Sequence, residues 1–136
     1  MKGAVSLEDV REVLLGAKYA DEHLAMIDRG RQRALVLAQA YPNASVRRSA
    51  RLLVESYEEA AATVRGRRDR ALAVISAVND PLCRQILELR FVEGLTLEKV
   101  AERINYSYQH LCRKLLPAAL SAAQKIVDAE GGADSS

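Results

Sequence analysis

The sequence predicts an all-α fold, and three observations carry that expectation. Ala, Leu, Val, Arg and Glu dominate, while aromatics make up 4% with no Trp and a single Phe, a mixture that favours helix over sheet. Only 3 Pro and 7 Gly punctuate 136 residues, so the helices should be few and long. The apolar positions recur in alternating steps of three and four, the spacing of one face of a helix.

The first helix is read from Leu7 to Gln39. Its stripe is Val10, Val13, Ala17, Ala20, Leu24, Ile27, Arg31, Ala34 and Ala38, with one polar member. Ser6 is placed to cap it, and Glu8 and Asp9 face the positive end of the helix dipole. Tyr41-Pro42-Asn43 stops it, because Pro42 disfavours helical geometry at Tyr41 and has no N–H to give. A second helix follows from about Val46 to Val78, capped by Asn43 or Ser45. Its stripe is Val46, Ala50, Leu53, Tyr57, Ala60, Val64, Arg67, Ala71, Val74 and Val78. The short turn between two Ala-rich stripes predicts an antiparallel coiled-coil hairpin over residues 1–79. Pairing about that turn sets Arg31 near Glu55 and Arg67 near Asp21 or Glu22, where the arginines fix the register or a functional surface interrupts the seam.

Asn79-Asp80-Pro81 ends the hairpin, with Asp80 capping the next helix and Pro81 in its first turn. That helix carries Leu82, Ile86, Leu87, Leu89, Arg90 and Phe91 and closes at Gly94. Thr96 caps a short helix from Leu97 to Ile104, Asn105 takes a left-handed turn, and Ser107 caps a helix from Tyr108 to Leu116. Pro117 either kinks a long last helix or starts another. The stripe after it, Leu116, Leu120, Ala123 and Val127, packs on the hairpin or pairs with a second copy in a homodimer. The chain thus divides into a hairpin (1–79), a helix-turn-helix domain (80–128) and a disordered tail (129–136) rich in Gly and Ser.

Composition narrows the function classes. Net charge is +2, but residues 41–78 hold seven basic against four acidic residues, and 81–125 again seven against four, net +3 each. That bias permits a nucleic-acid partner. No apolar run approaches the roughly 20 residues that span a bilayer, and no signal-peptide core begins the chain, so a reduced cytoplasmic protein away from membranes is expected. Cys83 and Cys112 make no metal or disulfide motif and are read as core thiols. His110 and Cys112, two apart on a helix, do not face one metal ion, and His23 and Cys83 add no further pattern. Glu88, Glu93, Glu98 and Glu102 stand without a His or nucleophile beside them. No enzyme, cofactor or metal is expected.

Thr96 to Leu116 has the layout of a helix-turn-helix, in which a helix N-terminus enters the major groove of duplex DNA. Val100, Ala101 and Ile104 face the core, Asn105 takes the turn position, and Tyr106 and Leu111 fill further apolar slots. The last apolar slot falls on Lys114, with Leu115 beside it.

The run Ile86 to Ile104, ILELRFVEGLTLEKVAERI, resembles the promoter-reading C-terminal region of bacterial sigma factors. The continuation Asn105 to Arg113, NYSYQHLCR, resembles a narrower group, the ArpU- and RinA-like phage regulators of late transcription. In that group an N-terminal helical hairpin precedes such a region, so the resemblance spans nearly the whole chain, with quotable motifs in 82–120. It implies binding of phage or prophage promoter DNA and activation of late transcription. Asn105 where Gly is commoner, Lys114 and Pro117 depart from the pattern. Carried onto this sequence, the resemblance exposes Tyr108, Gln109, His110, Arg113 and Lys114 on the recognition helix. Gln109 is suited to adenine and Arg113 to guanine. Thr96 and Ser107 bring helix-start N–H groups to phosphates, and Lys99 and Arg103 suit backbone contacts. The competing reading of each is a solvated polar face. The arginines 47, 48 and 51, then 65, 67, 68 and 70, read as a solvated helix face before a second DNA contact. Two rival functions remain: a small-terminase-like DNA-packaging subunit, and a protein-interaction module whose hairpin grips RNA polymerase.

Overall fold

A computed structural model describes residues 5–134. Its described residues form helices and no strand: α1 (Leu7–Leu15), α2 (Ala20–Ala40), α3 (Ala44–Ala77), α4 (Pro81–Leu87), α5 (Leu97–Ile104), α6 (Tyr108–His110) and α7 (Leu116–Asp134). A π-helical turn, Glu88–Val92, extends α4, and another, Leu111–Leu115, joins α6 to α7. The chain divides into two compact units, one of Tyr19–Arg67 and one that joins Met1–Lys18 to Arg68–Ser136.

The helix read as continuous from Leu7 to Gln39 is two helices. Ser6 caps α1 as expected, with Asp9 N–H donating to Ser6 Oγ at 3.1 Å and the Asp9 carboxylate accepting from Ser6 N–H. After Leu15 the chain tightens: Gly16, Ala17 and Lys18 each donate to the carbonyl three residues back, and Tyr19 is left-handed at φ 59°. A left-handed non-glycine costs about 1 kcal/mol or more. The break separates a segment packed on α7 from a segment packed on α3, and the apolar period runs through it unchanged.

In the Tyr19–Arg67 unit, α2 and α3 run antiparallel, as Ile27 and Val64 share a cluster with Leu24, Tyr57 and Ala61 while Gly30 meets Tyr57 nearer the turn. Asn43 is the cap of α3, accepting from Ser45 N–H at 2.8 Å and Val46 N–H at 3.3 Å. Arg47 closes the end of α2 by donating to the Tyr41 and Pro42 carbonyls at 2.7 and 2.9 Å. Every expected stripe position of α2 is buried or half-buried. On α3 the stripe drifts: Leu53, Ala60 and Arg67 are exposed, and Val54, Ala61 and Arg68 are half-buried in their place. Steps of four from Ala50, Tyr57 and Val64 replace the expected steps of three. Arg31 accordingly lies 3.9 Å from Glu58, not beside Glu55, and 3.3 Å from Asp28.

The other unit encloses the larger core. Val10 and Leu14 of α1, Val74 and Val78 around the end of α3, Ile86 and Leu87 of α4, Val100 of α5 and Leu111 are essentially inaccessible. Asp80 caps α4 and Pro81 opens it. Asp80 is held below the usual carboxylate range chiefly by the hydrogen bond from the Cys83 thiol, and burial together with that acid pushes Cys83 up to about 11. The π turn after α4, closed by Glu93 N–H to the Glu88 carbonyl at 3.0 Å, buries Leu89 and Phe91 alongside Ile86 and Leu87. Gly94 then turns the chain at φ 72°.

The last helix is continuous from Tyr108 through Pro117. Proline has no N–H and its ring crowds the carbonyl four residues back, a demand that the wider turn immediately before it relieves. Where composition predicts disorder from residue 129, α7 runs on to Asp134. Val127 is buried, Asp128 accepts from Val5 N–H at 3.3 Å, Gln124 donates to the Val5 carbonyl, and Glu130 lies 3.7 Å from Arg70, so the helix is tied as far as Glu130. Residues 135 and 136 of the expected tail lie outside the described residues.

Candidate nucleic-acid interface

The segment from Thr96 to Lys114 is built by three local devices. Thr96 Oγ1 accepts from Lys99 N–H at 3.3 Å and starts α5. Asn105, left-handed at φ 64°, ends it: its N–H donates to the Glu102 carbonyl at 3.3 Å, and Tyr106 N–H donates to the Ala101 carbonyl at 3.1 Å, a Schellman closure. Ser107 then caps α6, accepting from His110 N–H at 3.1 Å. Two helices are therefore joined by the three residues Asn105, Tyr106 and Ser107. Val100, Ala101, Ile104 and Leu111 point inward and hold both helices to the core.

All nine residues singled out from the sequence, Thr96, Lys99, Arg103, Ser107, Tyr108, Gln109, His110, Arg113 and Lys114, are solvent-exposed. They lie on one continuous stretch of a single unit. Their states differ. Lys99 is 3.9 Å from Glu102 and Arg103 is 3.9 Å from Glu93, exposed pairs worth at most about 1 kcal/mol. Gln109, Arg113 and Lys114 make no side-chain hydrogen bond or ion pair with the described residues, so their donors face solvent. The hydroxyls of Thr96 and Ser107 are occupied as caps.

Comparison of the chain with protein-family models, curated proteins and solved structures finds no match. The residues of this surface must therefore carry any argument about it.

One ring contact and one phenol–thiol pairing were not anticipated. Tyr106, expected in an apolar slot, is 45% exposed and stacks on His110 at 5.4 Å between ring centroids and 21° between planes. Tyr108 pairs with the half-buried Cys112 thiol, and that hydrogen bond is the first cause of a phenol held above its ordinary value. The i, i+4 spacing of both pairs was visible in the sequence, though not their geometry. Arg90 was also missed as a positioning residue: half-buried, it donates to the Leu95 carbonyl at 2.9 Å and steadies the loop that leads into Thr96. Its signal was the one basic residue inside the run ILELRF. Beside it, Arg11, Leu15, Phe91, Leu97, Leu116 and Leu120 line an open cavity of about 320 Å³.

Lys114, the departure from the expected apolar pattern, has a structural cause. The π turn at Leu111–Leu115 has more residues per turn than an α-helix, so the inward position after Leu111 falls on Leu115 and Lys114 stays in solvent. Among the described residues no group of three His, Cys, Asp or Glu is arranged to hold a metal ion, and no helix is long and apolar enough to cross a membrane.

Proposed function

We propose that this chain is a sequence-specific duplex-DNA-binding regulator of transcription, of phage or prophage genes, acting in the bacterial cytoplasm. In this reading α5, the three-residue turn and α6 are a sigma-like helix-turn-helix, and α2 with α3 is a coiled-coil hairpin. Tyr108, Gln109, His110 and Arg113 enter the major groove, Gln109 toward adenine and Arg113 toward guanine. Lys99, Arg103, Lys114 and the helix starts at Thr96 and Ser107 contact phosphates.

The observation that supports this best is the stretch Tyr108 to Lys114. It holds two fixed positive charges and no acid, its polar side chains are exposed, and Leu111 anchors it to the core. A surface that served only to cover the core would have no need of unpaired Gln109, Arg113 and Lys114 on one helix.

The test is fluorescence anisotropy of the full chain on the DNA upstream of neighbouring genes and on a random duplex, each at two salt concentrations. The reading requires tighter binding to one upstream segment than to random duplex at both. Equal affinity for all sequences would reduce the protein to a non-specific binder, and no binding to any duplex would favour a protein-interaction module. A large ring in light scattering would favour the packaging subunit.

A further inference from the structure

The turn between α5 and α6 carries an aromatic ring that the core does not use. Tyr106 precedes the cap residue Ser107, a place from which an apolar side chain ordinarily packs on the fourth residue of the helix, here Leu111. Leu111 is inaccessible, yet Tyr106 stays 45% exposed, and its ring lies instead on the third residue, His110, at 5.4 Å between centroids and 21° between planes. Its part in closing α5 is played by the backbone, through the N–H donated to the Ala101 carbonyl at 3.1 Å.

His110 is thereby held at two points. Its N–H donates to Ser107 Oγ at 3.1 Å, and the near-parallel phenol of Tyr106 covers one face of its imidazole. The stack leaves the ring edge open. Neither the His110 ring nitrogens nor the Tyr106 hydroxyl has a hydrogen-bond partner among the described residues, and an imidazole keeps at least one N–H donor in either protonation state. The place of His110 on the helix makes the restraint matter. Gln109 lies nearly opposite the inward Leu111, whereas His110 is only about 100° round from Leu111, on the flank. A side chain that points straight out meets a groove in most of its rotamers, while one on the flank has to be aimed.

We infer that Tyr106 is a positioning residue of the DNA surface: its ring holds the His110 imidazole in one orientation, with a ring N–H presented to an acceptor on a base edge in the major groove. The inference rests on the DNA-binding reading above and brings the turn into it, where sequence pattern assigns Tyr106 to an apolar slot. Purine N7, guanine O6 and thymine O4 are the acceptors such a donor meets. Tyr106 acts before binding, by removing rotamer freedom that His110 would otherwise lose on the DNA, a saving of about two- to tenfold in affinity for one side chain.

The experiment measures the full chain and its variants by fluorescence anisotropy on the preferred upstream duplex and on a random one. His110→Ala should weaken the preferred duplex by about fivefold or more, and the random duplex less. Tyr106→Ala should weaken the preferred duplex by about two- to tenfold, and should cost nothing further when combined with His110→Ala, because it acts through that ring. Tyr106→Phe keeps the stack and should bind within about twofold of the parent. Proton NMR of the free chain gives a readout without DNA. The chain has two histidines, so the His110 ring resonances are identified by their loss in His110→Ala. They should move in Tyr106→Ala and stay in Tyr106→Phe. Both sites are exposed, so the variants should fold, which circular dichroism checks.

Additive losses in the double variant, a loss from Tyr106→Phe as large as from Tyr106→Ala, equal loss on both duplexes, or His110 resonances unmoved by Tyr106→Ala would each overturn the inference and leave the DNA reading standing. A parent chain that prefers no duplex refutes the DNA reading itself, and the inference goes with it.

Discussion

Gly30 tests the close approach of α2 and α3. A helix-interior glycine costs about 1 kcal/mol relative to alanine, so Gly30→Ala on an isolated helix would stabilise. Here the added Cβ would lie 2.6 Å from Tyr57 Cζ, 2.7 Å from Cε1 and 2.8 Å from Oη, where carbon contacts prefer about 3.5–4 Å. The ring must therefore withdraw by about 1 Å or leave. A half-buried tyrosine covers roughly 100 Å², worth about 2.5 kcal/mol at 25 cal/mol per Å², and overpacking typically costs about 1–3 kcal/mol. With about 2 kcal/mol lost against about 1 gained, Gly30→Ala should destabilise by about 1 kcal/mol.

The decisive measurement is a double-mutant cycle with Tyr57→Ala, followed by urea denaturation and far-ultraviolet circular dichroism. In the Tyr57→Ala background the obstruction is gone and Gly30→Ala should stabilise by about 1 kcal/mol, so the coupling energy should be about 2 kcal/mol. Constant m-values across the four proteins are required, because two compact units can unfold in separate steps. Stabilisation by Gly30→Ala in the parent background, or a coupling below about 0.5 kcal/mol, would refute the packing argument.

Cys83 predicts an alkaline loss of stability. Its thiol is neutral in the fold up to about pH 11 but ionises near pH 9 when unfolded, so stability is complete below pH 9 and falls between the two, by at most about 2–3 kcal/mol; Cys83→Ala should flatten that slope in denaturant melts at several pH values. Asn105→Ala should cost about 1 kcal/mol in thermal unfolding because alanine resists φ 64°, whereas Asn105→Gly should be neutral or stabilising. Ser107→Ala removes the cap on His110 N–H and should cost about 1 kcal/mol. On DNA, Arg113→Ala should cost about 1–3 kcal/mol on the preferred duplex and relax specificity, while Lys99→Ala weakens all sequences alike and lowers the salt slope; equal loss on preferred and random duplex for Arg113→Ala would remove it from the base-reading set.

Local signals in the sequence survived folding well. Ser6, Asp80, Thr96 and Ser107 each cap the helix assigned to them, and α5 has the bounds read from its pattern, because a cap and its helix are decided within four residues. The exposure of eight of the nine singled-out residues was legible for the same reason, since the apolar period leaves them outward; Lys114, which falls on an apolar slot, is the exception. The break at Gly16–Tyr19 was not legible, because the stripe continues through it and only tertiary packing distinguishes its two halves. The register of α3 was misread by the choice between steps of three and four. At a period of 3.6 both fit locally, and only the partner helix decides.

The two π turns explain the remaining misfits and connect them. On an ideal α-helix residues 86, 87, 89 and 91 spread over about 200°, and the step of four from Leu111 to Leu115 drifts by about 40°. In both places the helix widens by one turn rather than abandon an apolar contact, and Leu89, Phe91 and Leu111 remain buried. The second turn does more than rescue packing. By letting Leu115 take the inward slot, it keeps Arg113 and Lys114 in solvent one turn beyond Gln109 and His110. The residue that breaks the apolar pattern is therefore also one that the surface gains. A pattern departure beside a proline, read only as a defect in the motif, is here the sign of a wider turn that lengthens the exposed basic row.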